Sequence, residues 1–363
     1  MINWWNIELG SKEIASVVAA IKNRNVSQGR LTEQLEQALA KLLEIPYVVC
    51  TTSGTSALMM AFIALGVGPQ DEVIMSNRTF IATAHAAMIL GARIRPIDVK
   101  HDRPIMDEDL IEKEINPATK VIVAVHLNGR ACNMEKIIAI ANKYKLPVIE
   151  DTAQANLSKF NGKYLGTLSR FGCFSLGMAK LITTGQGGFV VCRSEQDFIK
   201  LKRIRNQGVN DVFVDRNYNM LGSNFKFTDI QAAIGLVQLS KTKKKIKHQL
   251  SVYRKYKEGL KSVRCLKCVE LNVDTGEIPL KAEFLCTERE RFIVEMKQRG
   301  IVVRAEVPSL NEATHLNCKG SYVNSQLFSR HLLTLPSGPD QPLKNIERTI
   351  DIIKQIDSKF RPW

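Results

Sequence analysis

The sequence predicts an α/β fold in which helices cover both faces of a mainly parallel sheet. Short apolar segments alternate with helical segments along the first two thirds of the chain. The apolar segments are nearly continuous, as in strands that are buried on both faces. Several of them end in polar or glycine-rich turns, and functional groups in such sheets gather at the carboxyl ends of strands. The predicted strands span 47–51, 72–75, 94–98, 120–125, 147–150, 172–175 and 187–192.

The helical segments and the chain length predict two domains. At 363 residues the chain is longer than most single domains. We expect a large domain over 1–245, whose N-terminal segment 1–28 packs on the other domain. We expect 246–363 to form a smaller α/β domain, with helices over 287–298 and 342–356 and a strand over 302–306. The earlier helices are predicted over 11–23, 31–42, 57–65, 81–90, 107–115, 134–144 and 229–260.

Composition is typical of a globular enzyme from the cytoplasm. Hydrophobic residues make up 45% of the chain and charged residues 24%, and the apolar runs are too short to cross a bilayer. The N-terminus lacks the pattern of a secretion signal. The eight cysteines lack a disulfide-framework spacing, and the lone pair Cys265 and Cys268 is weak evidence for zinc. We expect reduced thiols, no metal site, no membrane contact and a cytoplasmic location.

The chain is strongly basic, with 51 Lys and Arg against 36 Asp and Glu, a net charge of +15. The densest basic cluster, 241–248, lies in the helical stretch 229–260. A solvated helix face is the favoured explanation, and nucleic-acid contact is the alternative. A phosphorylated substrate would also draw on dispersed lysines and arginines.

Lys180 is the most informative single residue. It lies between an apolar strand and the glycine-rich turn 185–188, where burial can lower the pKa of an amine and allow it to form a Schiff base. Asp151 follows another apolar strand directly. A pyridoxal phosphate enzyme needs such a pair, because the lysine binds the aldehyde and the acid keeps the pyridine nitrogen protonated.

A phosphate site is predicted where the strand 47–51 runs into a helix. Gly54 and Thr55 lie at this junction, where free N–H groups and the helix dipole favour an anion. A well-capped helix start would explain the same turn equally well. Ser175, at another strand end, offers a second hydroxyl, although taken alone it is best explained as an ordinary strand-end serine.

Five segments together resemble a known family. Through their order along the chain, these segments resemble the DegT/DnrJ/EryC1/StrS family of pyridoxal phosphate-dependent nucleotide-sugar aminotransferases. The resemblance implies the fold of aspartate aminotransferase (fold type I) with a smaller C-terminal domain. The segments that carry it are 52–58, 79–84, 149–155, 174–188 and 222–226.

The resemblance implies a role for each matching residue. Lys180 matches the lysine that binds the cofactor aldehyde and carries the proton, and Asp151 matches the partner of the pyridine nitrogen. Gln154 matches the residue that donates to the phenolic oxygen, and Phe80 the residue that stacks on the ring. The phosphate would be held by Gly54, Thr55 and Ser175.

The resemblance also implies partners and a reaction. Asn224 matches a residue that reaches the phosphate from the neighbouring subunit, which implies a homodimer with shared sites. Glutamate would load the cofactor with an amino group. The amino group would then pass to a keto group of a nucleotide-linked sugar, most often a 4-keto-6-deoxy sugar.

Four positions depart from the family pattern. Gln186 replaces a common glutamate, Lys226 a common arginine and His85 a common asparagine, and 307–311 replaces a histidine-containing segment. These changes leave open an unusual keto substrate. A non-catalytic regulator or nucleic-acid-binding protein is a second alternative because of the basic charge, but it leaves Lys180 unexplained.

Overall fold

The computed structural model describes residues 1–215 and 217–363 and is built around two sheets. The strands of the first sheet lie along the chain close to the predicted positions. The strands are β1 (Tyr47–Thr51), β2 (Glu72–Ser76), β3 (Arg93–Ile97), β4 (Thr119–Val125), β5 (Val148–Asp151), β6 (Lys159–Phe160), β7 (Lys163–Tyr164), β8 (Phe171–Ser175), β9 (Gly188–Cys192), β10 (Lys267–Cys268), β11 (Ala282–Leu285), β12 (Arg304–Ala305) and β13 (Leu332–Leu335).

The central sheet has the order β1-β9-β8-β5-β4-β2-β3. The pairs from β8 through β5, β4 and β2 to β3 are parallel, whereas β9 runs antiparallel to β1 and β8. The predicted mainly parallel sheet is therefore confirmed. Each of its predicted strands lies within one residue of the observed bounds.

Helices cover both faces of this sheet, as the apolar strands require. The helices are α1 (Ser11–Lys22), α2 (Arg30–Leu43), α3 (Gly54–Ala64), α4 (Ala82–Met88), α5 (Ile111–Glu114), α6 (Met134–Lys143), α7 (Glu195–Arg205), α8 (Asp229–Ser240), α9 (Thr242–Gly259), α10 (Arg289–Gln298), α11 (Val323–His331) and α12 (Leu343–Ile356). None of the helices in 1–215 and 217–363 is both long and apolar enough to span a bilayer.

The stretch predicted to be helical over 229–260 consists of two helices, because the chain breaks at Lys241 between α8 and α9. The Lys241 amide turns back to the Gln238 carbonyl, three residues earlier. The hydroxyls of Ser240 and Thr242 donate to the carbonyls of Val237 and Leu239, at 2.7 and 2.8 Å. Hydroxyl groups that bond to the backbone in this way compete with the regular helical pattern.

The basic cluster 241–248 is only partly a solvated face. Lys243, Lys244 and Lys247 are exposed as predicted, but Lys245 is buried. Its ammonium donates to the side chain of Gln238 and lies 3.6 Å from the Asp340 carboxylate, which compensates the charge inside the protein. The prediction was wrong at this position because the α8–α9 break turns one side of α9 toward the protein interior.

The second sheet has the order β10-β11-β13-β12, and its described pairs are antiparallel. The strand predicted over 302–306 is shorter here, at two residues. Backbone bonds join the N-terminal segment to this region, from Ile2 N–H to Gly300 O at 2.7 Å and from Ser337 N–H to Trp4 O at 2.7 Å. Helix α1 instead packs on α8. The domain bounds 1–245 and 246–363 stay a prediction.

A buried ion pair joins the segment after β4 to the second sheet. Arg130 donates to Glu283 of β11 at 2.5 Å and to the carbonyls of Val269 and Glu270 at 2.7 and 3.1 Å. Both charged side chains are almost completely buried. Removing one partner of such a pair leaves a charge without compensation in the interior.

We predict that Arg130→Met lowers the free energy of unfolding by about 3–5 kcal/mol, because Glu283 loses its only close cation among the described residues. Urea denaturation followed by circular dichroism measures the change. Lys255→Met is the matched control, since Lys255 pairs with Glu347 at the surface and should cost less than about 1 kcal/mol. Equal effects of the two substitutions would contradict the structural role of Arg130.

Candidate active site

A cavity of about 480 Å³ opens at the carboxyl ends of the central strands. This is the edge where the parallel topology places functional groups. Its size lies within the range of small-molecule sites. Of the eight residues predicted from sequence, seven line it: Gly54, Thr55, Phe80, Asp151, Gln154, Ser175 and Lys180.

Lys180 carries an amine whose proton affinity is reduced. Burial, together with repulsion from the Lys281 ammonium, lowers the pKa of Lys180 to about 8. Asp151 and Glu306 act in the opposite direction but do not outweigh this effect. A substantial fraction of the amine is therefore unprotonated near neutral pH, which is the form that attacks an aldehyde.

Asp151 is held in place as a hydrogen-bond acceptor. Its Oδ2 accepts from the Thr83 hydroxyl at 2.7 Å, and its Oδ1 from the Ala153 N–H at 3.1 Å. Thr83 in turn lies 2.7 Å from the Thr79 hydroxyl. These donors orient the carboxylate at the end of β5, where it is nearly buried. Such a carboxylate can hold a proton on a ring nitrogen.

The three predicted phosphate residues come together at the start of α3. Ser53 caps this helix by accepting from the Ser56 N–H at 3.0 Å. The N–H groups of Gly54 and Thr55 follow the cap and find no acceptor among the described residues. A Cβ on Gly54 would lie 2.9 Å from Cβ of Ser175, so glycine is required for this approach. The arrangement is an anion site at a helix N-terminus.

Phe80 and Gln154 line the cavity together with Asp151 and the start of α3. Phe80 is 53% exposed, so its ring face is accessible from the cavity. The Gln154 Oε1 atom accepts from the Asn128 N–H at 3.2 Å, which leaves the amide NH₂ free to donate. The same Asn128 binds the backbone of Lys281.

Asn224 is the one predicted residue that does not line the cavity of its own chain. It is exposed and forms an isolated backbone bridge with Asn206. Its role at a neighbouring subunit's site therefore stays a prediction.

Sequence analysis missed several residues of the cavity wall. His126 follows β4 at its carboxyl end, so the argument used for Asp151 could have found it. The others come from distant parts of the chain that give no local signal: Trp4, Lys281, Arg304 and Glu306.

Lys281 and Glu306 form an ion pair in the wall that the second sheet provides. The Lys281 ammonium lies 2.9 and 2.8 Å from the two Glu306 oxygens, and Thr334 also donates to this carboxylate. Burial alone would raise the pKa of Glu306, but the charges of Lys281 and Arg78 and the hydrogen bonds from Lys281 and Thr334 together lower that pKa. The Lys281 ammonium lies close enough to Lys180 to disfavour a second positive charge there, and Glu306 partly offsets this effect.

Behind the cavity, Glu150 precedes Asp151 and points to the opposite face of the sheet. It is fully buried and accepts from His126 and from three backbone N–H groups. The His126 Nδ1 atom accepts from the Cys132 N–H, so the ring proton lies on Nε2 and is donated to Glu150. The backbone donors are Gly166, Leu168 and Ser169, at 2.7–2.8 Å.

These features fit pyridoxal phosphate. The cavity offers an amine of lowered pKa, a fixed carboxylate, an accessible aromatic face and an anion site. Across residues 1–215 and 217–363, no cluster of three or more His, Cys, Asp or Glu side chains could hold a metal ion.

We predict that Lys180→Met stabilises the cofactor-free protein at pH 7 by on the order of 3 kcal/mol, because the fold disfavours the ammonium. This penalty is complete below pH 8 and disappears as the pH rises to 10.5, the ordinary value. The stability difference from the native chain should therefore shrink across that interval. Urea denaturation between pH 7 and 10.5 measures it.

Lys344→Met, at an exposed position of α12, is the matched control and should show no such pH-dependent difference. A gap for Lys180→Met that stays constant from pH 7 to 10.5 would contradict the lowered pKa.

The chain is similar to known aminotransferases. It is 37% identical over 219 residues to GDP-perosamine synthase of Caulobacter vibrioides, a match that covers 59% of this chain and 58% of that protein. The chain thus spans little more than half the length of that relative. It is 28% identical over 377 residues to UDP-4-amino-4,6-dideoxy-N-acetyl-beta-L-altrosamine transaminase of Campylobacter jejuni, covering 99% of both.

The fold also matches solved structures. The crystal structure of S. venezuelae DesV superposes with a TM-score of 0.91 and 26% identity, covering 97% of this chain and 95% of that one. The family model for the DegT/DnrJ/EryC1/StrS aminotransferase family matches residues 8–354. The chain belongs to the DegT/DnrJ/EryC1/StrS aminotransferase family.

Proposed function

We propose that the protein is a pyridoxal phosphate-dependent aminotransferase that moves an amino group from glutamate to a keto group of a nucleotide-linked sugar. The observation that carries this proposal is the shared cavity of Lys180 and Asp151, with the anion site of α3 beside them. The names of the Caulobacter and Campylobacter relatives, which refer to GDP- and UDP-linked sugars, support the substrate class.

Each residue would have a defined task. Gly54, Thr55 and Ser175 would bind the phosphate, and Asp151 would keep the pyridine nitrogen protonated. Phe80 would orient the ring, and the Gln154 amide would donate to its phenolic oxygen. The bound cofactor supplies an aldehyde for the amino group and a ring that delocalises negative charge.

Lys180 would also act as the general base. Its Nζ atom would take a proton from the substrate carbon and deliver it to the cofactor. A positioned base of this kind contributes about 10²–10⁴-fold in rate. The Lys281 ammonium helps to keep Nζ free of a proton, because its charge disfavours a second ammonium nearby, while Glu306 acts in the opposite direction.

We further propose a homodimer in which Asn224 contributes to the partner's site. Its exposed position outside its own cavity supports a contact with a second copy. A cytoplasmic location is proposed as well, since all eight cysteines are free thiols.

We predict that Lys180→Ala abolishes the reaction with glutamate. Mixed with an excess of glutamate, the native holoenzyme should release up to one 2-oxoglutarate per subunit, whereas the variant should release none, because no base of matched pKa replaces Nζ. Stopped-flow absorbance and quantified 2-oxoglutarate measure this half-reaction. Lys281→Met is a comparison at the same cavity and should retain the reaction at a lower rate.

The loaded enzyme then identifies the acceptor. The enzyme loaded with an amino group is incubated with a panel of GDP-, UDP- and dTDP-linked keto sugars. Only a keto sugar that accepts the amino group should restore the absorbance spectrum that the enzyme had before glutamate was added. Turnover by Lys180→Ala would refute the role of Lys180, and a native enzyme that releases no 2-oxoglutarate would refute glutamate as donor.

We predict that mixed dimers of Lys180→Ala and Asn224→Ala subunits regain activity. If the sites are shared, a mixed dimer has one site with both defects and one with neither, so random mixing restores about a quarter of the native sites. Refolded mixtures are assayed against each variant alone. Activity that never exceeds the average of the two variants would show that each chain completes its own site.

A further inference from the structure

Arg304 and Trp4 form a stacked pair at the mouth of the cavity. Arg304 belongs to the short strand β12, and its side chain is exposed. Its guanidinium carbon lies 4.7 Å from the centre of the Trp4 ring, and both residues line the cavity that contains Lys180. A guanidinium stacked on an indole is fixed in direction while its edge remains free to donate hydrogen bonds.

The chain around Trp4 is held between two parts of the protein. The Trp4 carbonyl accepts from the Ser337 N–H at 2.7 Å, and the Asn6 N–H donates to the Ser337 carbonyl at 3.1 Å. On the other side, the Trp5 indole N–H donates to the Met178 carbonyl at 3.1 Å, within the turn that precedes Lys180. The Trp4 ring centre lies 5.7 Å from that of Trp5, so the anchored Trp5 and the bonded backbone together support the ring that Arg304 contacts.

Arg304 is also the cation of this wall whose charge remains available. Its neighbours Lys281 and Glu306 neutralise each other. Within the described part of the chain, Arg304 forms no ion pair and donates no side-chain hydrogen bond to a protein group. An exposed, oriented guanidinium matches the geometry of a phosphate.

We propose that Arg304 binds the diphosphate of the nucleotide-linked acceptor, and that Trp4 positions Arg304 for this contact. The inference rests on the proposed function and adds the residue that recognises the nucleotide part of the substrate. The anion site at α3 serves the cofactor, and the reacting sugar carbon must lie near Lys180. The diphosphate, linked to the sugar, then extends through the mouth, where Arg304 lies.

The test measures binding of UDP, GDP and dTDP to the cofactor-loaded enzyme by calorimetry. The native protein should bind at least one of them, and Arg304→Met should weaken that binding about 10- to 100-fold, because two charge-assisted hydrogen bonds are lost. Arg304→Lys should be intermediate, since it keeps the charge without the planar fork. Arg348→Met, an exposed arginine of α12, is the matched control.

Trp4 is tested by Trp4→Phe and Trp4→Leu. Phenylalanine keeps a ring face for the guanidinium, so nucleotide affinity should fall less with Trp4→Phe than with Trp4→Leu. Equal losses would refute the positioning role of Trp4.

The two half-reactions separate this proposal from the proposed function. Release of 2-oxoglutarate from glutamate requires no diphosphate, so Arg304→Met should affect the acceptor half-reaction far more strongly. Equal weakening of both half-reactions, or unchanged nucleotide affinity in Arg304→Met and Arg304→Lys, would overturn the role of Arg304. If the native enzyme binds nucleotides but does not react with glutamate, only the proposal that glutamate is the amino donor is refuted.

Discussion

The parallel direction of the central strands is the constraint on which this molecule depends. Because β1, β5 and β8 run the same way, their carboxyl ends meet at one edge of the sheet. That edge receives a helix start after β1, the Asp151 carboxylate at the end of β5 and the Ser175 hydroxyl at the end of β8. Residues far apart in sequence thus meet in one cavity. The antiparallel strand β9 returns the chain between β8 and β1, after the turn that carries Lys180.

The second sheet controls the chemistry of that cavity through charge. It contributes Lys281, Arg304 and Glu306, of which two neutralise each other and one remains exposed. The Lys281–Glu306 pair lies near the Lys180 amine, and Arg304 faces the entrance of the cavity. The charge around the Lys180 amine and at the entrance is therefore set in part by a region of the chain that carries neither Lys180 nor Asp151.

Much of the first sheet and of its polar edge could be predicted from the sequence. Buried parallel strands leave a continuous apolar signal, and the polar residues that follow them at once are local features, as with Asp151 and Lys180. Trp4 and Arg304 could not be predicted, because their roles arise from contacts across about 300 residues that no local pattern encodes.

Local patterns also failed where a neighbour changes the environment of a helix. The basic run on α9 predicts exposure throughout, yet Lys245 finds an acceptor in Gln238 and is buried. Asn224 shows a different limit. The structure of a single chain places Asn224 outside its own cavity, whereas the role implied by the resemblance requires a second copy of the chain.

Glu150 and Asp151 are separated by one peptide bond and serve opposite faces of the same strand. Glu150 accepts hydrogen bonds from the turn 166–169 inside the protein, and Asp151 lines the cavity beside Thr83. Insertion or deletion of one residue in the approach to β5 would exchange their directions. The cavity would then face a carboxylate with a longer side chain, and the turn would lose its acceptor. A change of length in this segment should therefore disturb both the cavity and the turn, whereas a substitution at either position disturbs only one of them.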